Sequence, residues 1–285
     1  MVADRVKLSA LRLLPKNAVS RAFGVVAEIP LPPGVRNAVN HGFARFAGVD
    51  VDECEIPPGA YGSLNAFFTR RLREGARSID ARGPGDLVSP ADGRLDQFGE
   101  IRKNTLVQAK GRTYRLVDLL DSGRDAARFE GGQFATIYLS PRDYHRVHSP
   151  VEGTVTRLGY VPGQLFPVNP FAVEHVERLF TVNERLTTFV ETSQMGPVAV
   201  VMVGATCVGK ITLAFHPFRT NAAFRRREDV ALDEPVELDH GDELGIFNLG
   251  STVIVLVGNP AFAFRSDLES GRSVYMGEIL GSTRR

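Results

Sequence analysis

Beyond Pro90 the chain carries a series of short apolar runs rich in Val and Ile, and these restrict its fold more than any other feature. Phe134 to Leu139, Gly153 to Tyr160, Leu186 to Glu191, Val198 to Val203 and Thr252 to Val257 each have strand length and strand composition. Several run on without polar alternation, which predicts strands covered on both faces. Ahead of them, residues 34 to 48 read as helix. Leu64 to Leu72 predicts a second, capped by Ser63, with Phe67 and Phe68 facing inward. Pro84, Gly85 and Pro90 mark the change of regime, and Asp92-Gly93 reads as a turn. The expected fold is α+β and predominantly β. Amino-terminal helices over residues 1–75 precede a compact β-rich domain over 76–285.

The amino end has its own character. Residues 1 to 50 hold seven Lys or Arg against three Asp or Glu. Val6, Ala10, Leu13 and Leu14 fall near one helical face before Pro15 stops or bends the helix. A second apolar stretch, Ala22 to Ile29, ends at the Pro30-Leu31-Pro32-Pro33 turn. Such a segment suits the surface of an anionic membrane, and it equally suits packing on its own domain. No apolar run reaches membrane-spanning length and none reads as a cleavable signal peptide.

Composition excludes more than it selects. A net charge of +1 gives no case for nucleic acid as a partner. Cys54 and Cys207 are too few for a disulfide framework and are expected as reduced, buried thiols. No Cys/His spacing fits a metal centre. Gly209-Lys210 lacks the phosphate-loop pattern. Between Phe218 and Glu243 the charge changes sign, from Arg219, Arg225, Arg226 and Arg227 to a run of Asp and Glu. That pattern predicts a solvated hairpin or loop pair, although the arginines would also match phosphate oxygens.

Chemistry concentrates in three places. Leu249-Gly250-Ser251-Thr252-Val253-Ile254 sets a serine after a glycine, at the mouth of an apolar strand. Asp92 lies in Ser-Pro-Ala-Asp-Gly, and His145 and His148 lie in Tyr-His-Arg-Val-His. An acid, an imidazole and a hydroxyl can cooperate in attack on an acyl group whatever their order in the chain, and the nearest acyl group is the Gly250 carbonyl. Each residue also has a plainer reading, Asp92 as a turn former and the histidines as structural groups. Gly-Ser-Thr recurs at Gly281 to Thr283, but Ser282 is expected on a frayed end that cannot hold attacking atoms. The G-x-S-x-G elbow of common serine hydrolases is missing around Ser251.

These segments resemble the phosphatidylserine decarboxylase family. The matching stretches are Leu64-Asn65-Ala66-Phe67-Phe68-Thr69-Arg70, Ser89 to Gly93, Leu139 to His148, Phe180 to Arg185, Val203 to Thr206 and Leu249 to Ile254. The resemblance implies a proenzyme cleaved between Gly250 and Ser251, with Asp92, His148 and Ser251 as its processing triad. His148 takes the Ser251 proton, Asp92 orients the imidazole, and the oxygen attacks the Gly250 carbonyl. Elimination from the resulting ester and loss of ammonia leave a pyruvoyl group at Ser251. That group forms a Schiff base with phosphatidylserine, and carbon dioxide and phosphatidylethanolamine follow. His145 is implied as proton donor in the decarboxylation.

The implied partners are phosphatidylserine, an anionic membrane surface, the two cleavage fragments held as a heterodimer, and a second copy of that unit. The implied location is peripheral, on the cytoplasmic face of the cell membrane. No metal is implied. With a lipid substrate, loops near Phe166 or Phe218 are candidates to admit acyl chains, and His216 and Arg219 to meet the headgroup. His41, His175 and His240 are read as structural or surface residues. Three other readings remain open on the residues alone: a serine hydrolase whose chain stays intact, a non-catalytic lipid-binding protein, and a pyruvoyl-dependent decarboxylase of a soluble amino acid.

Overall fold

The computed structural model describes residues 14–109, 112–206, 210–222, 226–248 and 251–283. Most of the residues of the predicted first helix, together with Cys207, Arg225, Leu249 and Gly250, lie outside them. The five predicted strands all form, as Gln133–Leu139, Gly153–Val161, Arg185–Glu191, Pro197–Val203 and Ser251–Val257. They join one eight-stranded sheet in the order Glu228–Leu238, Gly153–Val161, Arg185–Glu191, Pro197–Val203, Ser251–Val257, Gln133–Leu139, Gly93–Glu100, Ser273–Val274. Every neighbouring pair is antiparallel. Ser251–Val257 is buried along its whole length between Pro197–Val203 and Gln133–Leu139, which is why its apolar run shows no alternation. The fold is α+β and predominantly β.

The segment after Phe218 departs from its predicted loop pair. Glu228–Leu238 is a strand, paired to Gly153–Val161 at the edge of the large sheet. Its acidic residues conceal it in the sequence because they do what an edge strand needs. They keep the free edge charged, and Pro235 falls where the register shifts between Ala231 and Val236. Ser282 is a second departure. It is not on a frayed end but in Ile279–Thr283, the middle strand of a three-stranded sheet, opposite Asp86 and Ala263.

The helices Lys16–Glu28, Pro33–Ala47 and Leu64–Phe68 lie ahead of the first strand of that small sheet. Ser63 caps the last of these by accepting from the Ala66 amide, and Phe67 and Phe68 are buried, as the sequence suggests. That helix stops at Phe68, short of Leu72. The chain turns there to pair with an earlier segment, Leu72 opposite Cys54 and the Arg73 amide on the Glu53 carbonyl. Phe43 packs edge-on against both phenylalanines at 6.2 and 5.9 Å and so ties the longer helix to the body. The outer faces of the first two helices are apolar and unburied: Phe23, Val25, Val26, Ile29, Val35 and Phe46 are exposed, Phe46 by 89%. Cys54 is buried and unbridged.

Candidate active site

Two stretches of chain pair with each other twice, and the site lies where they pass between the two ladders. In the large sheet Ser251–Val257 runs against Gln133–Leu139, with Ser251 opposite Leu139. In a small sheet Glu243–Asn248 runs against Arg146–His148, with Glu243 opposite His148 and Ile246 opposite Arg146. The Phe247 amide extends that ladder to the His145 carbonyl at 3.0 Å. Loop 140–145 therefore joins the two ladders on one side, while on the facing chain one ladder ends at Asn248 and the other begins at Ser251, which brings Ser251 and His145 to facing segments. Asn248 holds the strand end before the junction. Its amide nitrogen donates to the Lys210 carbonyl at 3.0 Å, and its oxygen accepts from Asn65 at 3.0 Å.

Ser251 is 1% exposed, and its Oγ has no hydrogen-bond partner among the described residues. His145 is fully buried against the Phe68 ring, 4.0 Å between centroids. Its Nδ1 lies 2.8 Å from the Asp143 carbonyl, an atom that only accepts, so Nδ1 carries the proton and Nε2 the lone pair. That Nε2 also has no partner among the described residues. Burial holds the imidazole neutral and pushes its pKa down to about 3; the Asp143 contact works the other way and Arg70 adds to the depression. Leaving a buried hydroxyl and a buried imidazole lone pair unsatisfied is costly, which marks both as candidates for a functional role.

His148 is oriented by a different atom from the one the triad reading implies. Its Nδ1 donates to the carbonyl of Gly241 at 2.7 Å. Gly241 has φ +87°, and an added Cβ would meet the Ile79 side chain at 2.5 Å, so the turn requires glycine. On the other side of the ring the Tyr144 hydroxyl donates to Nε2 at 3.1 Å, with the two rings stacked. Burial raises the Tyr144 pKa, so the phenol keeps the proton it donates. Burial likewise lowers that of His148, against the pull of Gly241, Glu243 and Asp92.

Asp92 reaches this site through the backbone, since the His148 amide donates to Pro90 at 2.8 Å. Its carboxylate is committed elsewhere. Arg77 holds it through Nε and Nη2, with a closest approach of 2.6 Å, and the Met276 amide adds a bond at 2.9 Å. The same guanidinium pairs with Glu53 at 2.8 Å. Asp92 therefore acts on His148 through its field, not through a hydrogen bond. Gly93 lets the chain lie this close to the central strand: a Cβ there would stand 2.5 Å from the Tyr138 carbonyl.

Two cavities meet at Tyr138. One of about 390 Å³ is apolar and runs from Phe23, Phe43 and Phe46 past Phe68 to Ser251. The other, about 370 Å³, is polar and is lined by Arg77, Asp92, Arg94, Arg142 and Tyr144. Comparison with known proteins gives this geometry a family. A sequence model described as phosphatidylserine decarboxylase matches residues 64–282. A phosphatidylserine decarboxylase proenzyme of Anaeromyxobacter sp. (strain K) is 45% identical over 98% of both chains. Those of Azotobacter vinelandii and Brevibacillus brevis are 44% and 40% identical over 98% and 95% of each chain. The chain belongs to the phosphatidylserine decarboxylase family.

Within the phosphatidylserine decarboxylase frame, the residues that escaped sequence reasoning are the ones that hold the named four in place. Arg77 and Gly241 sit in segments with no motif, and only the fold brings them to Asp92 and His148. Tyr144 was visible as the neighbour of His145, but not as the partner of His148. The apolar entrance matches expectation in part. Pro167, Val168 and Asn169, in the loop after Phe166, line the way to Ser251, whereas the Phe218 segment does not; Phe166 and Phe218 are themselves buried, and the helices add Phe23, Phe43, Phe46 and Phe68. His216 accepts from the Phe218 amide, while Arg219 is exposed beside Arg21 and Lys210.

Proposed function

We propose that the chain is a self-cleaving proenzyme whose mature form decarboxylates phosphatidylserine to phosphatidylethanolamine at a pyruvoyl group made from Ser251. The observation that carries this reading is the Ser251 hydroxyl itself, buried and unpartnered at the mouth of a fully buried strand, where it borders an apolar cavity. The residues present fit the group. Ser251 supplies its atoms, the Thr252–Val203 and Ser251–Leu139 pairings fix its backbone, and the buried lone pair of His145 serves its chemistry. When formed, the group supplies a ketone that captures the substrate amine and accepts the electron pair left by carbon dioxide.

In processing, the Tyr144 hydroxyl gives up the His148 Nε2 lone pair, which then accepts the Ser251 proton while the oxygen adds to the Gly250 carbonyl. Gly241 fixes the tautomer and Asp92 favours the imidazolium. In the decarboxylation His145 handles the proton. Its Nε2 is unprotonated at rest, so it takes a proton before giving one. The ammonium of the substrate must lose a proton for its nitrogen to attack, and the carbon that loses carbon dioxide must gain one.

Residues 1–75 form the membrane-associating part, 76–285 the catalytic part. No described helix is long and apolar enough to cross a membrane, and the exposed apolar faces of Lys16–Glu28 and Pro33–Ala47 suit the interfacial region of an anionic bilayer at the cytoplasmic face. The two fragments stay together because Ser251–Val257 pairs with a strand of the larger fragment on each side. A homodimer of that unit is part of the reading. The test is carbon dioxide release from phosphatidylserine vesicles compared with free serine. Release from the lipid alone supports the reading. Equal release from both would make the substrate a soluble amino acid, and ester hydrolysis by an intact chain would make it a hydrolase.

A further inference from the structure

We infer that Arg70 is a positioning residue for decarboxylation, holding His145 in the tautomer that leaves Nε2 free for the reaction. The inference rests on the proposed role of His145 and adds to it the group that sets its state. Arg70 follows the helix Leu64–Phe68 and is only 3% exposed. Its Nη2 donates to two successive carbonyls of the histidine loop, Arg142 at 2.7 Å and Asp143 at 3.2 Å. The Asp143 carbonyl is the atom that also accepts the Nδ1 proton of His145. One oxygen thus takes a bond from each residue, and the guanidinium fixes where that oxygen points.

Arg70 has no salt bridge with a carboxylate among the described residues, and its Nε and Nη1 are buried without a hydrogen-bond partner. The carboxylates of Asp92 and Asp143 favour its charge through their field alone, so burying this cation is costly and packing alone does not account for an arginine here. Its neighbours are the Phe67 ring, 5.6 Å from the guanidinium carbon, and the buried Cys54 thiol. Around His145 the packed groups are the Phe68 ring, the Phe247 amide and the Asp143 carbonyl, and the charge that bears on the imidazole is Arg70. A cation in that place opposes a second positive charge on the ring and so keeps Nε2 free to take a proton. Burial is the larger cause of this neutrality, and Arg70 reinforces it while setting the tautomer.

The test uses the full chain with Arg70→Met and Arg70→Lys, each assayed on phosphatidylserine vesicles for kcat and KM across pH, with melting temperature recorded. We expect Arg70→Met to lower kcat tenfold or more with KM within twofold, and its acid limb to move to higher pH. Lysine keeps the charge but reaches one carbonyl instead of two, so Arg70→Lys should keep the wild-type limb and recover part of kcat. Equal losses in both variants with an unmoved acid limb would make Arg70 structural and overturn the inference, as would an unchanged kcat.

Nitrogen-15 histidine spectra of the uncut Ser251→Ala proenzyme read the tautomer without any turnover. With Arg70 present, His145 should be in the Nδ1–H form through the neutral range. With Arg70→Lys, a second tautomer should appear, and its absence would count against the inference. Failure of the wild-type chain to release carbon dioxide would instead sink the functional reading, and the spectra would still report on Arg70.

Discussion

At the scale of single residues the site is a set of buried polar atoms, some satisfied and some left open. Ser251 Oγ and His145 Nε2 are open, whereas the atoms of Asp92 and His148 are closed by Arg77, Gly241 and Tyr144. The four side chains proposed for the reaction were singled out in sequence because each sits in a short, distinctive string. Their keepers were not, since Arg77 lies 15 positions from Asp92 and Gly241 lies 93 from His148. Arg77 gives a prediction in pH. Its hydrogen bonds lower the Glu53 pKa, so the stability this pair contributes is complete above the unfolded carboxyl value of ~4.3 and fades as pH falls through the lower folded value. Urea melts of the wild type should therefore lose stability below that range. Glu53→Gln should flatten that loss, and an unaltered slope would deny the pair its role.

Among elements, the strands were the legible part and their ends were not. Continuous Val/Ile runs give strand cores because both faces are covered, and every one was placed to within a residue or two. The helix from Leu64 stopped early because a tertiary pairing of Leu72 with Cys54 overrides local preference. Glu228–Leu238 was missed because an edge strand hides its pattern under the charges that protect it. The close pass of Asp92-Gly93 over the central strand makes a sharp prediction. Gly93→Ala would drive a Cβ to 2.5 Å from the Tyr138 carbonyl. The expected cost is about 1–3 kcal/mol in a thermal or urea melt, with self-cleavage slowed because Asp92 is displaced. A variant as stable and as quickly cleaved as the wild type would show that this approach is slack.

For the whole molecule, the arrangement couples a surface to a reaction. The exposed apolar faces of the two long helices border a cavity that ends at Ser251, and the proposed function uses this path to pass a lipid from the interface to the site without crossing water. Burying a large apolar side chain is worth roughly 1.5–3 kcal/mol. Replacing Val25, Val26 and Ile29 by serine should therefore weaken vesicle binding at least tenfold, measured by sedimentation. Turnover of a short-chain, soluble phosphatidylserine should stay within about twofold, and an equal loss on both substrates would mean that the helices serve the fold alone.

The central claim is that Ser251 is consumed to make the reacting group, and intact-chain mass spectrometry of the expressed protein tests it most directly. The account predicts two fragments, one ending at Gly250 and one beginning at residue 251. The second should be lighter than a serine-ended peptide by the mass of ammonia, and Ser251→Ala should leave a single uncut chain. A wild-type chain that stays whole, even after incubation with phosphatidylserine membranes, would contradict it.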